Sequence, residues 1–184
     1  DTSFRSPHGL DKEEHFSTAY DLALMARYAL SIPLFAQIVK TRTITLPRQG
    51  YHNGLTISNT NEMLWQYKGA DGVKTGFTGQ AGRCLITSAT REGWQVVAVV
   101  LRSNSRAMRA GDSVKVLDYT FHNYRFVPVV KKGMQILHVP VIKGVKDKVM
   151  LATDGEITAP VRQGEEVKIR MVCEDVPADT MGQV

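Results

Sequence analysis

Long apolar runs are missing from this sequence of 184 residues. No stretch approaches the roughly 20 consecutive apolar residues that a transmembrane helix needs, so we expect no membrane-spanning segment. The sequence also lacks an initial Met and the basic start, apolar core and small-residue cleavage site of a signal peptide. Because it begins at Asp1 with DTSFRSPHGLD, we expect it to be a fragment of a longer protein.

Cysteine is scarce, and Cys84 and Cys173 form neither a CxxC redox pair nor a metal-binding spacing. The five histidines are scattered, without the spacing of a metal pair, so no metal site is predicted. Cys84 lies in an apolar, strand-like run, which favours a buried free thiol. A disulfide between the two cysteines remains an open alternative.

Charge is unevenly placed along the chain. The net charge of +5 comes from 23 basic and 18 acidic residues. Residues 74–125 contain eight basic and three acidic residues, whereas the segments on either side are balanced. A local surplus predicts a site for an anionic ligand, either a small carboxylate or a polyanion. A solvated basic face would give the same pattern.

Helical and extended patterns alternate in the first two thirds of the chain. Residues 18–31 predict a helix buried on more than one face, with Thr18 as N-cap, Asp21 in the first turn and Pro33 ending the helix. A hairpin follows over 41–58, with its turn at Pro47–Gly50. Next, the sequence predicts a loop over 59–72 and three strands over 73–78, 83–90 and 95–101. A second loop over 102–112 and a helix over 112–125 follow.

The character of the sequence changes past Pro128. Short strand patterns, separated by Gly, Pro or charged turns, occur without helical spacing between them. They predict a small β domain that begins near residues 126–128. The predicted strands cover 135–141, 148–153, 157–161 and 165–173.

The strongest local motif is Lys74-Thr75-Gly76, within DGVKTGFTGQAG. On a strand edge, Gly76 allows a ligand backbone to approach closely, Lys74 supplies a cation and Thr75 a hydroxyl. These groups suit a substrate with a carboxylate and a reactive carbonyl. An ordinary strand with a solvated lysine is the alternative. The motif is not a phosphate loop. A phosphate loop has the order Gly-Lys-Ser/Thr after a glycine-rich turn, whereas this chain has Lys-Thr-Gly.

Five segments follow one another along the chain, HGLD, AYDLALMAR, NTNEMLW, DGVKTGFTGQAG and LITSAT. In this order they resemble the serine D-alanyl-D-alanine carboxypeptidases, the low-molecular-mass penicillin-binding proteins of the penicilloyl-serine superfamily. The resemblance implies an α+β fold. Residues 1–126 would form an incomplete β-lactamase/transpeptidase-like domain with an antiparallel sheet and helices. Residues 127–184 would form the small, all-β C-terminal domain that many members carry.

The family uses three motifs, Ser-x-x-Lys with the nucleophile, Ser-x-Asn and Lys-Thr-Gly. The first two do not occur in these 184 residues. The resemblance therefore implies that the nucleophile lies in a missing N-terminal segment. We expect the fragment alone to be catalytically inert. Without that segment, the helix over 18–31 and the sheet would expose apolar surface, which predicts poor solubility or self-association.

The resemblance also implies roles for individual residues. Lys74 would place positive charge near the catalytic serines, and Thr75 would hydrogen-bond the terminal carboxylate of the substrate. Gly76 would line the binding edge, and the backbone N–H of Phe77 would be one donor of the oxyanion hole.

Two further positions follow from the same resemblance. Arg109 follows Lys74 by 35 residues and matches an arginine of the family that helps to hold the terminal carboxylate. Some relatives carry a second arginine where this sequence has Thr60, so that arginine contact would be missing.

The implied activity is removal of the terminal D-alanine from peptidoglycan stem peptides through a serine acyl-enzyme, which penicillins also form. No cofactor is implied, and the family works outside the cytoplasmic membrane, often held there by a C-terminal amphipathic helix that this chain does not show. A β-lactamase and a non-catalytic module that binds the cell wall or another protein are the alternatives. Nucleic-acid binding is not favoured, because the basic segment lacks interleaved aromatic residues.

Overall fold

The structure is a computed structural model and describes residues 1–47, 49, 52, 54–141 and 145–170. The chain divides into two compact units, Asp1–His122 and Asn123–Val184. The predicted domain division at residues 126 and 127 stays a prediction. In chain order the elements are α1 (Ala19–Leu30), α2 (Pro33–Lys40), β1 (Thr43–Leu46), β2 (Leu55–Ser58), α3 (Met63–Gln66), β3 (Ala70–Thr78), β4 (Gly82–Arg91), β5 (Trp94–Ser103), α4 (Arg106–Asn123), β6 (Tyr124–Val130), β7 (Gln135–Pro140), β8 (Lys148–Ala152) and β9 (Ile157–Arg162).

Helix α1 begins as the sequence predicts. The Thr18 hydroxyl accepts a hydrogen bond from the backbone N–H of Asp21 at 3.1 Å, which confirms the N-cap. The Asp21 carboxylate accepts a hydrogen bond from the Thr2 hydroxyl at 2.6 Å, and this bond is the main cause of its lowered pKa. Pro33 does not simply end the helical region, because it is the first residue of α2. Proline is favoured at that position since its missing N–H would have no partner there.

Burial of α1 is lower than predicted. Within this helix only Ala26 is buried, and Tyr20 and Tyr28 are more than 70% exposed. Leu34 and Ile38 of α2 are exposed as well. Among the described residues no single helix is long and apolar enough to cross a bilayer. The pair α1 and α2 passes that test together but is bent by 107°.

Strands β3, β4 and β5 form an antiparallel sheet in that order, which agrees with the three predicted strands. One cluster of buried side chains combines Leu85, Ala89 and Ala98 of the sheet with Ala110 and Leu117 of α4. Full burial of one leucine side chain contributes about 2 kcal/mol, so this cluster anchors α4 to the sheet. The strands β1 and β2 form the predicted hairpin, but Arg48 and Gly50 of its predicted turn lie outside the described residues.

Two predicted loops contain helix. Residues 59–72 include α3, whose Met63 and Leu64 are fully buried, and the start of β3. Residues 102–112 include the first turns of α4, where the Ser105 hydroxyl accepts a hydrogen bond from the N–H of Met108 at 3.1 Å. Both segments are rich in polar residues, which hid their helical periodicity.

The second unit contains two antiparallel pairs, β6 with β9 and β7 with β8. The sequence did not predict β6. Its first two residues fall in the helix predicted over 112–125, and Pro128 within it argues against a strand. Among the described residues β6 pairs with β9 alone, and proline is tolerated on such an edge strand. The strand predicted over 165–173 is wrong for 165–170, which have no regular structure, and 171–173 lie outside the described residues.

A polar and aromatic cluster joins α4 to the ends of α3 and β4. The Tyr67 hydroxyl donates to the Asp118 carboxylate at 2.7 Å. The Arg91 guanidinium lies over the rings of Tyr67 and Phe121, 4.7 and 4.6 Å from their centroids. Burial and the hydrogen bond to Asp118 raise the pKa of Tyr67, because both disfavour the phenolate.

This raised pKa predicts a dependence on alkaline pH. Since the pKa of Tyr67 is higher in the folded protein, its contribution to stability is full below the ordinary value of 10.0 and is lost at higher pH. In an ultraviolet titration, Tyr67 should therefore ionise above its ordinary value of 10.0, and Tyr67→Phe should remove that step from the titration curve. Tyr28→Phe, at an exposed position, is the control for the loss of one phenol. A difference curve between the unaltered chain and Tyr67→Phe with no step at alkaline pH would contradict the prediction.

The exposed apolar side chains of α1 and α2 predict that the 184-residue chain self-associates. In sedimentation experiments, the double variant Leu34→Gln and Ile38→Gln should lower the average mass, because it removes part of the apolar surface. Leu10→Gln is the matched control, since Leu10 is equally exposed but lies outside both helices. A monodisperse monomer of the unaltered chain would contradict the prediction.

Candidate active site

The Lys-Thr-Gly motif lies on β3, which pairs with β4 and, within the part of the chain that the structure describes, is an edge strand of its sheet. Lys74 is exposed, and its ammonium lies 2.5 Å from the carbonyl oxygen of Thr75. Phe77 is 62% exposed, with the Arg83 guanidinium 4.4 Å from its ring centroid. The four consecutive residues of the predicted binding edge therefore present a cation, a hydroxyl, an open backbone position and an aromatic ring.

Gly76 is not required by packing within the described residues. It lies opposite Cys84 in the sheet, and a methyl group added at Gly76 would meet the Cys84 β-carbon at an ordinary 3.7 Å. Its backbone does not adopt the left-handed conformation that favours glycine. The described part of the fold would thus accept alanine here. Close approach of a ligand as the reason for glycine stays a prediction.

The segment before α3 is fixed by its two asparagines. The Asn59 side chain donates to the carbonyl oxygens of Val39 and Thr41, at 3.2 and 3.0 Å. Asn61 is 1% exposed, and its side chain donates to the carbonyl oxygen of Gly72 in β3 at 2.8 Å. These bonds tie residues 59–61 to the end of α2 and to the strand that carries Lys-Thr-Gly.

Thr60, between these asparagines, contacts the motif directly. Its hydroxyl oxygen lies 2.9 Å from that of Thr75. Thr60 is exposed and Thr75 half-buried, so the pair opens to solvent beside Lys74. The structure thus adds Thr60 to the predicted binding edge.

Arg109 belongs to α4 and is 3% exposed, rather than part of the predicted loop. Its guanidinium donates to both carboxylate oxygens of Glu62, at 2.7 and 2.6 Å, and to the carbonyl oxygen of Cys84 at 3.2 Å. Cys84 is the register partner of Gly76. The structure therefore places Arg109 next to the binding edge, with Nη1 bonded to Cys84 and Nη2 to Glu62. Its buried Nε has no hydrogen-bond partner among the described residues. A direct contact of Arg109 with a substrate carboxylate stays a prediction.

An open pocket of about 950 Å³ adjoins this ion pair. Thr60, Glu62, Trp65 and Arg106 are among its lining residues. Thr60 therefore lies between the pocket and the Lys-Thr-Gly edge. Within the described part of the chain, no group of three His, Cys, Asp or Glu side chains could hold a metal ion. Among the described residues Cys84 has no disulfide partner, and it is half-buried rather than buried. Cys173 lies outside the described residues, so the disulfide alternative stays open.

Comparison with known proteins assigns the chain to a family. Residues 1–105 match the peptidase S11 family, D-alanyl-D-alanine carboxypeptidase. The chain is 34% identical over 166 residues to D-alanyl-D-alanine carboxypeptidase DacF of Bacillus subtilis, covering 90% of this chain and 42% of the relative. It is 30% identical over 165 residues to DacA of Escherichia coli, covering 89% and 40%.

The fold agrees with this relationship. The structure of penicillin-binding protein 5 from Haemophilus influenzae superposes with a TM-score of 0.73 and 29% sequence identity, covering 89% of this chain and 46% of the other. The chain belongs to the D-alanyl-D-alanine carboxypeptidase family. It spans less than half the length of the relatives given above. The predicted family and the α+β fold class are confirmed.

Sequence reasoning missed Glu62 as the partner of Arg109 and treated Thr60 only as the place of a missing arginine. The available signal was Glu62, the one acidic residue in 59–62, because a buried arginine needs a carboxylate partner. The separation of 47 positions between Glu62 and Arg109 in the sequence hid this pairing from local patterns.

The ion pair of buried Arg109 with half-buried Glu62 predicts an asymmetry between single and double substitutions. Glu62→Gln leaves the buried Arg109 charge without a carboxylate and should lower the free energy of unfolding by about 3 kcal/mol. Replacing both residues, Glu62→Leu with Arg109→Met, should cost less because no charge remains buried. Urea unfolding measures both changes. A double variant less stable than Glu62→Gln would contradict this account.

Proposed function

We propose that the first unit forms the Lys-Thr-Gly wall of a serine D-alanyl-D-alanine carboxypeptidase whose nucleophilic serine lies outside these 184 residues. The observation that carries the proposal is the exposed Lys74-Thr75-Gly76 edge of β3, in a chain of this family. The absence of Ser-x-x-Lys and Ser-x-Asn from the sequence supports an external nucleophile. The 184-residue chain alone is then inactive.

The proposed substrate is a peptidoglycan stem peptide that ends in two D-alanines. The serine oxygen attacks the carbonyl carbon between them and forms an ester as the C–N bond breaks. The terminal D-alanine leaves with a proton on its amine, and water then hydrolyses the ester. Penicillins acylate the same serine, because their lactam and carboxylate resemble the end of the peptide.

Each residue of the edge has a proposed role in this reaction. The Lys74 ammonium stabilises the substrate carboxylate and the charge that develops near the serine. The Thr75 hydroxyl donates to the carboxylate, Gly76 admits the peptide backbone and the N–H of Phe77 donates to the oxyanion. Arg109 acts through its contacts with Glu62 and Cys84, which position the segment and the strand on either side of the motif.

The proposed site of action is outside the cytoplasmic membrane, where peptidoglycan is found. The positive charge of residues 74–125 agrees with an anionic substrate, since the stem peptide presents its carboxylate to this part of the chain.

The experiment is to express the coding sequence of this chain together with the sequence upstream of it. Labelling by a fluorescent penicillin and release of D-alanine from diacetyl-Lys-D-Ala-D-Ala measure the two half-reactions. Lys74→Ala should slow both by about 100-fold, because one preorganised charge is lost from the site. Lys68→Ala, at another exposed lysine, should leave both rates unchanged.

The outcomes separate this function from its alternatives. A long-lived penicillin adduct with release of D-alanine supports the carboxypeptidase. Rapid hydrolysis of the penicillin, without action on the peptide, would identify a β-lactamase instead. Binding of peptidoglycan with neither labelling nor release, or an upstream sequence without both serine motifs, would overturn the proposal in favour of a non-catalytic module.

A further inference from the structure

We propose that Thr60 is a positioning residue that orients the Thr75 hydroxyl toward the carboxylate at the end of the substrate. The proposal rests on the function proposed above and adds a residue that determines specificity for a free carboxylate. The observation behind it is the 2.9 Å contact between the two hydroxyl oxygens, at the exposed end of a fixed segment.

The hydroxyl pair has an arrangement of protons that suits an anion. Each threonine hydroxyl carries one proton and two acceptor lone pairs. When Thr60 donates to Thr75, the Thr75 oxygen is held from one side and its own proton is left for another acceptor. Lys74, the preceding residue, is exposed, and its charge favours an anion along this edge. The free proton of Thr75 suits a carboxylate oxygen, whereas a neutral amide would offer weaker acceptors.

Thr60 can act in this way because its backbone is held on both sides. Asn59 is bonded to the end of α2, and Asn61 is bonded to Gly72 in β3, two residues before Lys74. Glu62 is held by the buried Arg109 guanidinium. A hydroxyl on a fixed segment loses little further entropy when it holds its neighbour, so its hydrogen bond orients Thr75 effectively.

A hydrogen bond that only holds residues 59–61 against β3 would produce the same contact between the hydroxyl oxygens. The two roles differ in their dependence on the substrate. Loss of a purely structural hydrogen bond would lower kcat/KM equally for all substrates, whereas loss of a residue that orients Thr75 would lower it only for substrates with a terminal carboxylate.

The test uses the longer protein described above and two peptides, diacetyl-Lys-D-Ala-D-Ala and its C-terminal amide. Thr60→Val should lower kcat/KM for the free acid by about 10-fold, mainly through KM, because a hydrogen bond to a charged group is weakened. The value for the amide should not change. Thr60→Ser, which keeps the hydroxyl, should restore the acid value. In a Thr75→Val background, Thr60→Val should have no further effect.

Thr56→Val is the matched control, because Thr56 and Thr45 form an equivalent hydroxyl pair at 2.9 Å on the β1–β2 hairpin. It should leave both peptides unaffected. An equal loss for acid and amide, no loss for either, or no rescue by Thr60→Ser would overturn the positioning role while the carboxypeptidase assignment stands. An unaltered protein that neither binds penicillin covalently nor releases D-alanine would overturn both.

Discussion

The buried ion pair of Arg109 and Glu62 connects three parts of the first unit that are distant in sequence. One guanidinium joins α4, the segment before α3 and strand β4 through the Cys84 carbonyl. A buried guanidinium requires such partners, because its desolvation is costly unless a carboxylate and carbonyl oxygens replace water. The position of the residues beside the Lys-Thr-Gly edge depends on this pair.

The candidate site separates fixed groups from exposed ones. Buried polar side chains such as Asn61 make their hydrogen bonds within the protein and hold the backbone in place. Lys74 and Thr60 stay exposed at the ends of these fixed segments. This arrangement suits the binding of a small anionic peptide end, because few side chains must be ordered when the ligand arrives.

Local patterns predicted the elements whose signal is contained in a few neighbouring residues. Strands β4 and β5 were predicted because their alternating pattern follows from side-chain direction along a strand. The Thr18 cap of α1 was predicted because its hydrogen bond spans only three residues. The start of α4 and the short α3 were missed, because burial by tertiary contacts decided their structure against a polar sequence. For α1 the prediction failed in the other direction. Its apolar sequence predicted a buried helix, but among the described residues of this helix only Ala26 is buried.

The sequence by itself determined the family, the fold class and the Lys74-Thr75-Gly76 edge, because each is carried by contiguous residues in a fixed order. Only the tertiary structure decided which side chains meet at that edge. Thr60 and Thr75 are 15 residues apart, and Glu62 and Arg109 are 47 apart. Such pairs form only when sheet register and helix packing bring them together, and no periodicity in the chain encodes those distances.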